Sequence, residues 1–183
     1  KQYDLRTASL IGHSFDGLVA TFFAEENPQM VNAIFLVGAP VCLQATFKNI
    51  ISRSKKIYEA KKDSANLKYI SLLENMDTAS LEYSTYSFMH AGQNGFYRTS
   101  KPSEASKSIY MKFRNDTALA KYGTQMTQAA PLGFHKNERY TTIDIYPVLK
   151  NLLVKNKKIY GLYGQEDGLY SREQVMALES LLG

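Results

Sequence analysis

The stretch Gly12-His13-Ser14-Phe15-Asp16-Gly17 is where residue types and spacing point most directly to chemistry. It lies between an apolar run, Leu5 to Ile11, and a segment in which Leu18, Val19, Phe22 and Phe23 recur at helical spacing. A strand that reverses sharply into a helix forces its central residue toward positive φ and leaves that side chain alone at the tip. Ser14 occupies the tip and is the candidate nucleophile. The N–H of Phe15 then stands at a helix N-terminus, where donors without intrahelical partners and the helix dipole can stabilise an oxyanion. Acyl transfer is the chemistry this arrangement would serve. Two phosphate-loop readings fit poorly. Gly12 and Gly17 have P-loop spacing, but Leu18 stands where a lysine must reach the phosphates, and a dinucleotide fingerprint fails because position 14 is serine.

Such a serine needs a strand, a helix and parallel neighbours to hold it. The helix expected over Phe15 to Glu26 is stopped by Asn27-Pro28, and a second apolar strand, Val31 to Val37, ends in Gly38-Ala39-Pro40. The order β-α-β implies adjacent parallel strands joined by a right-handed crossover. The same grammar returns near the end of the chain. Lys157 and Lys158 lead into a strand over Ile159 to Tyr163, a turn spans Gly164 to Gly168, and Ser171 can cap a helix carrying Val175, Leu178 and Leu182. The expected class is therefore α/β, with a parallel-sheet core from residues 1–40 and 147–183 and a helical cap, residues 41–146, inserted between two strands. Apolar stripes in the cap run through Ile50, Ile51, Ile57 and Tyr58, then Leu67, Ile70, Leu73 and Met76, then Ile109, Phe113, Leu119, Tyr122 and Met126. A block inserted there covers the carboxyl edge of the sheet, where open α/β sheets bind ligands. Its tyrosines and phenylalanines can line a pocket, although helical spacing assigns most of them to the cap's own core.

The motif Gly12 to Gly17, preceded by Ala8-Ser9-Leu10-Ile11, resembles the nucleophile elbow of the α/β-hydrolase superfamily. Tyr160-Gly161-Leu162-Tyr163-Gly164-Gln165-Glu166-Asp167 is similar to the strand and Gly-x-x-Asp turn on which that family carries its triad acid. The layout most resembles capped members such as the proline-iminopeptidase-like serine hydrolases. The resemblance implies that Asp167 orients the catalytic histidine, with Glu166 in reserve, and that the histidine follows the acid beyond one further strand. None of the three histidines has that place: His13 belongs to the elbow, and His90 and His135 fall in the cap. The chain is accordingly expected to be a fragment, without the C-terminal histidine segment and without the N-terminal strands whose loop donates the second oxyanion N–H, and to be inactive alone. One departure is visible. The family usually has a small residue two positions after the serine, whereas Asp16 precedes Gly17 here, so either the turn differs or the aspartate points outward.

The implied function is a serine hydrolase that cleaves an ester, amide or short-peptide bond of a small-molecule substrate through an acyl-enzyme, with no cofactor and no metal. An aminopeptidase-like member would hold the substrate ammonium with cap carboxylates such as Glu74, Asp77 and Glu82; an esterase would rely on an aromatic pocket. The alternative is a non-catalytic α/β-hydrolase-like binding or interaction protein in which the elbow survives as architecture. A hydrophobic share of 44% with 21% charged residues suits a soluble globular chain, and no apolar run approaches the roughly 20 residues of a membrane span. Nothing names a compartment, with the cytoplasm favoured. The net charge of +5 comes from lysines such as Lys55, Lys56, Lys61 and Lys62 at helical spacings, which read as a solvated surface rather than a nucleic-acid site. Cys42 is the single cysteine; flanked by Val41 and Leu43, it is expected to be a buried small hydrophobe. A truncated sheet would expose apolar edge and favour self-association.

Overall fold

The computed structural model describes residues 6–99, 101–118 and 129–183. Three apolar segments form a parallel sheet in the order β1-β2-β3: β1 (Ala8–His13), β2 (Val31–Val37) and β3 (Lys158–Leu162). Side chains alternate across a strand, so each register row faces one side. Leu10, Ile34 and Ile159 share a row, as do Ile11, Phe35 and Tyr160. The first row joins the main hydrophobic core, under α1 (Asp16–Glu26), α7 (Tyr146–Val154) and α8 (Arg172–Leu182). The second faces outward, and Ile11 is 73% exposed.

Several boundaries differ from the sequence expectation. Strand β1 starts at Ala8, Leu5 lying outside the described residues, and runs past Ile11 because Gly12 and His13 still pair with Leu36 and Val37. Strand β3 sits one residue earlier than expected at each end. Helix α1 begins at Asp16, with Phe15 as its N-cap residue, and gives way at Asn27 to a short 3₁₀ turn over Pro28–Met30. Ser171 caps α8 through a full capping box with Gln174.

Between β2 and α7 lie α2 (Leu43–Ala60), α3 (Ser64–Glu74), α4 (Leu81–Gln93), α5 (Glu104–Asn115) and α6 (Ala129–Glu138). Asp63, Ser80 and Ser103 each accept a backbone N–H at the start of α3, α4 and α5, which satisfies donors that the helices cannot. Helix α2 packs on both α3 and α4 and buries Phe47, Ile50, Ile51 and Tyr58; Ile70 and Leu73 complete the stripe from α3. Helix α5 departs from expectation. Ile109 and Phe113 are exposed and α5 buries no residue, because periodicity defines an apolar face without supplying anything to cover it. Leu119, Tyr122 and Met126 lie outside the described residues. Cys42 is half-buried, not buried as expected. Its backbone is extended, so Val41 and Leu43 point inward and Cys42 points the other way. Among the described residues no helix is long and apolar enough to cross a membrane.

Candidate functional site

The carboxyl ends of the three strands meet at one place. Ser14 follows β1, Gly38 follows β2, and the turn from Gly164 to Asp167 follows β3. Two hydrogen bonds extend the ladder beyond the strands: Ser14 N–H donates to the Val37 carbonyl and Gly38 N–H to the Leu162 carbonyl, both at 2.9 Å. A cleft of about 620 Å³ opens there. His13, Ser14, Gly38, Glu166 and Asp167 line it from the sheet side, and Phe96, Tyr97, Thr99 and Tyr110 form its wall in the helical block.

Ser14 has φ of 53°, a conformation that a side chain adopts only under local constraint. The constraint is close packing. A Cβ at Gly12 would lie 2.5 Å from both the Asp16 carbonyl oxygen and the Gly17 Cα, and a Cβ at Gly17 would lie 2.3 Å from Ala39 Cβ. Strand and helix can approach this far only with glycine at both positions. The close approach thus falls on Gly17, one residue after the position expected from the resemblance, and Asp16 is exposed. Phe15 turns its ring away from the cleft, edge-on to Phe134 at 5.1 Å and to Tyr140 at 6.0 Å. Its N–H, at the head of α1, meets no backbone acceptor among the described residues.

Asp167 is half-buried at the end of a turn closed by its own N–H on the Gly164 carbonyl at 3.1 Å. One carboxylate oxygen, Oδ1, accepts from Leu169 N–H at 2.9 Å, and the other faces Gly38, where a Cβ would lie 3.8 Å away. Burial raises its pKa above the ordinary carboxylate value, and the Leu169 N–H and the Arg53 charge offset part of that. Tyr97, in the same wall, is pushed up to about 12 by burial and by the neighbouring Asp167 charge. Tyr163 and Tyr170 are raised for the same two reasons, so they stay protonated and donate to the Ala39 and Gly38 carbonyls at 2.7 and 2.6 Å. Glu166 is exposed and accepts from Thr99 Oγ1 at 3.0 Å.

The histidines are distributed differently. His13 lines the cleft beside Ser14, His135 packs edge-on to Tyr140, and His90 is fully buried in the block with Nδ1 at 2.8 Å from the Tyr58 hydroxyl. Among the described residues none of them is hydrogen-bonded to Ser14 or Asp167. The cap carboxylates considered for an ammonium group do not reach the cleft: Glu74 pairs with Lys55 at 2.8 Å, Asp77 accepts from Ala79 N–H, and Glu82 sits in the first turn of α4. Asn49 and Arg53, which contact the Asp167 turn, were not foreseen, because nothing around them in sequence marks a partner so distant. No three His, Cys, Asp or Glu side chains among the described residues are grouped as a metal site.

Fold and cleft together define an α/β protein with, among the described residues, a three-stranded parallel sheet and a helical block between β2 and β3. No family model, curated protein or solved structure matches this chain.

Proposed function

We propose that this chain is part of an α/β-hydrolase-type serine hydrolase that cleaves an ester, amide or short-peptide bond. The observation that carries the reading is Ser14 at φ of 53° on a strand-to-helix turn, in the same cleft as the half-buried carboxylate of Asp167. In the proposed reaction Ser14 Oγ attacks the substrate carbonyl carbon while a histidine takes its proton, and the oxyanion that forms is held by the Phe15 N–H. The histidine then protonates the departing alcohol or amine as its bond to the acyl carbon breaks. Water repeats the sequence and releases the acid. Asp167 orients the imidazole and balances its charge while it is protonated. His90 and His135 are packed within the helical block, and His13, at the end of β1 beside Ser14, makes no hydrogen bond to it among the described residues, so the reading requires a histidine that reaches Ser14 from elsewhere.

A fluorophosphonate probe, which loses fluoride when a serine oxygen attacks phosphorus, tests this directly. The intact protein should be labelled at Ser14, and Ser14→Ala should abolish labelling. A second reading, a non-catalytic binding protein, is favoured by the lack of a histidine bonded to Ser14 among the described residues. No labelling of the intact protein, or equal labelling of Ser14→Ala, would decide for it.

A further inference from the structure

The turn that carries Asp167 is irregular backbone, and its carbonyls must find donors outside any ladder. Three consecutive carbonyls find them on one helix of the inserted block. Asn49 Nδ2 donates to the Leu169 carbonyl at 2.9 Å and to the Gly168 carbonyl at 3.3 Å. Arg53, one helical turn further along α2, donates from Nη1 to the Asp167 carbonyl at 3.4 Å. The turn is also pressed against Phe96: Gly168 N–H donates to the Phe96 carbonyl at 3.2 Å, and a Cβ on Gly168 would lie 2.5 Å from Phe96 Cβ. The Arg53 guanidinium lies over that same ring, 4.9 Å from its centroid.

One peptide unit links this grip to the carboxylate. The Gly168 carbonyl and the Leu169 N–H belong to the same planar group, so a donor holding the oxygen fixes the direction of the N–H. That N–H is the one bonded to Asp167 Oδ1 at 2.9 Å. We propose that Asn49, supported by Arg53, is a positioning residue for Asp167, so that helix α2 of the inserted block, and not the sheet alone, sets the direction of the acid. The proposal rests on the serine-hydrolase reading. Under it, any shift of α2 relative to the cleft redirects Asp167 and changes the rate without touching substrate.

The test is a double-mutant cycle in the intact protein, read as hydrolysis of p-nitrophenyl butyrate. Asn49→Ala should lower kcat about 10- to 100-fold with KM nearly unchanged, the scale of loss when a catalytic group is misplaced by about 1 Å. In an Asp167→Asn background the same substitution should have no further effect, because it acts only through the carboxylate. A loss that is as large in that background as in the wild type would show a merely structural role and overturn the proposal. Arg53→Met, at an exposed position, should give a smaller loss with the same dependence on Asp167, and it decides the question if Asn49→Ala shows no cooperative melt. Unchanged kcat in both variants would also overturn the proposal. If Ser14→Ala and Asp167→Asn themselves leave hydrolysis untouched, the hydrolase reading fails, and the proposal with it.

Discussion

A serine hydroxyl on ordinary surface has many rotamers and ample water, whereas Ser14 is held at positive φ between two glycines that have no room for a Cβ. The same economy governs Asp167, whose burial raises its pKa and so makes its charged form costly. The sign follows. The unfolded chain releases this proton more readily than the folded one, so as pH rises above the ordinary carboxylate value of 3.8, ionisation of Asp167 costs the fold stability until the raised pKa is passed. Asn is isosteric, uncharged and still able to accept from Leu169 N–H. Asp167→Asn should therefore melt at or above the wild-type temperature at pH 7 while, under the proposed serine-hydrolase reading, lowering kcat by a factor on the order of 10⁴, since an amide cannot balance a protonated imidazole. Glu166→Gln should change kcat little, because Glu166 is exposed and meets the helical block through Thr99. Calorimetry and steady-state rates on the two variants check this, and a reversed order of kcat losses would transfer the role to Glu166.

Helix α2 connects the Asp167 turn to the inserted block. Its C-terminal half is tied to α4 by a partly buried network in which the Tyr58 hydroxyl meets His90 Nδ1, Gln93 Oε1 and Asn94 Nδ2, and Asn94 also reaches Ser54. The His90 ring is buried and its Nε2 has no partner among the described residues. Burial lowers its pKa, with the hydrogen bond to Gln93 offsetting part of the effect. As pH falls below the ordinary histidine value of 6.5, the unfolded chain takes up this proton before the folded one does, and stability is lost. Melting temperature should drop between pH 7.5 and 5, by about 2–4 °C for each kcal/mol in a chain of this size. His90→Gln, which cannot titrate, should remove that component of the drop; an unchanged slope would mean that other groups carry it.

On the scale of the whole molecule, the sheet is covered unevenly. Parallel sheets normally bury both faces, yet Ile11, Tyr160 and Leu162 are 73%, 46% and 53% exposed, and among the described residues β1 and β3 are both edge strands. Apolar surface of this kind favours association with another chain. The 183-residue chain should show a concentration-dependent rise in apparent mass by light scattering. Ile11→Lys, which places a charge on the β1 edge of that face, should reduce the rise. A chain that stays monomeric at high concentration would contradict the expectation.

What was legible in the sequence was local. The strand-turn-helix around Ser14, the bounds of β2 and the cap at Ser171 each depend on glycine demands, apolar period or side-chain acceptors within a few residues, and those preferences act wherever the segment finds itself. The tertiary structure alone decided that α5 leaves Ile109 and Phe113 exposed, that Cys42 faces away from the core, and that Asn49 grips a carbonyl 120 residues further along the chain. Each of these depends on the relative placement of whole elements, which is set by the packing of many side chains at once, and no short stretch of sequence carries that information.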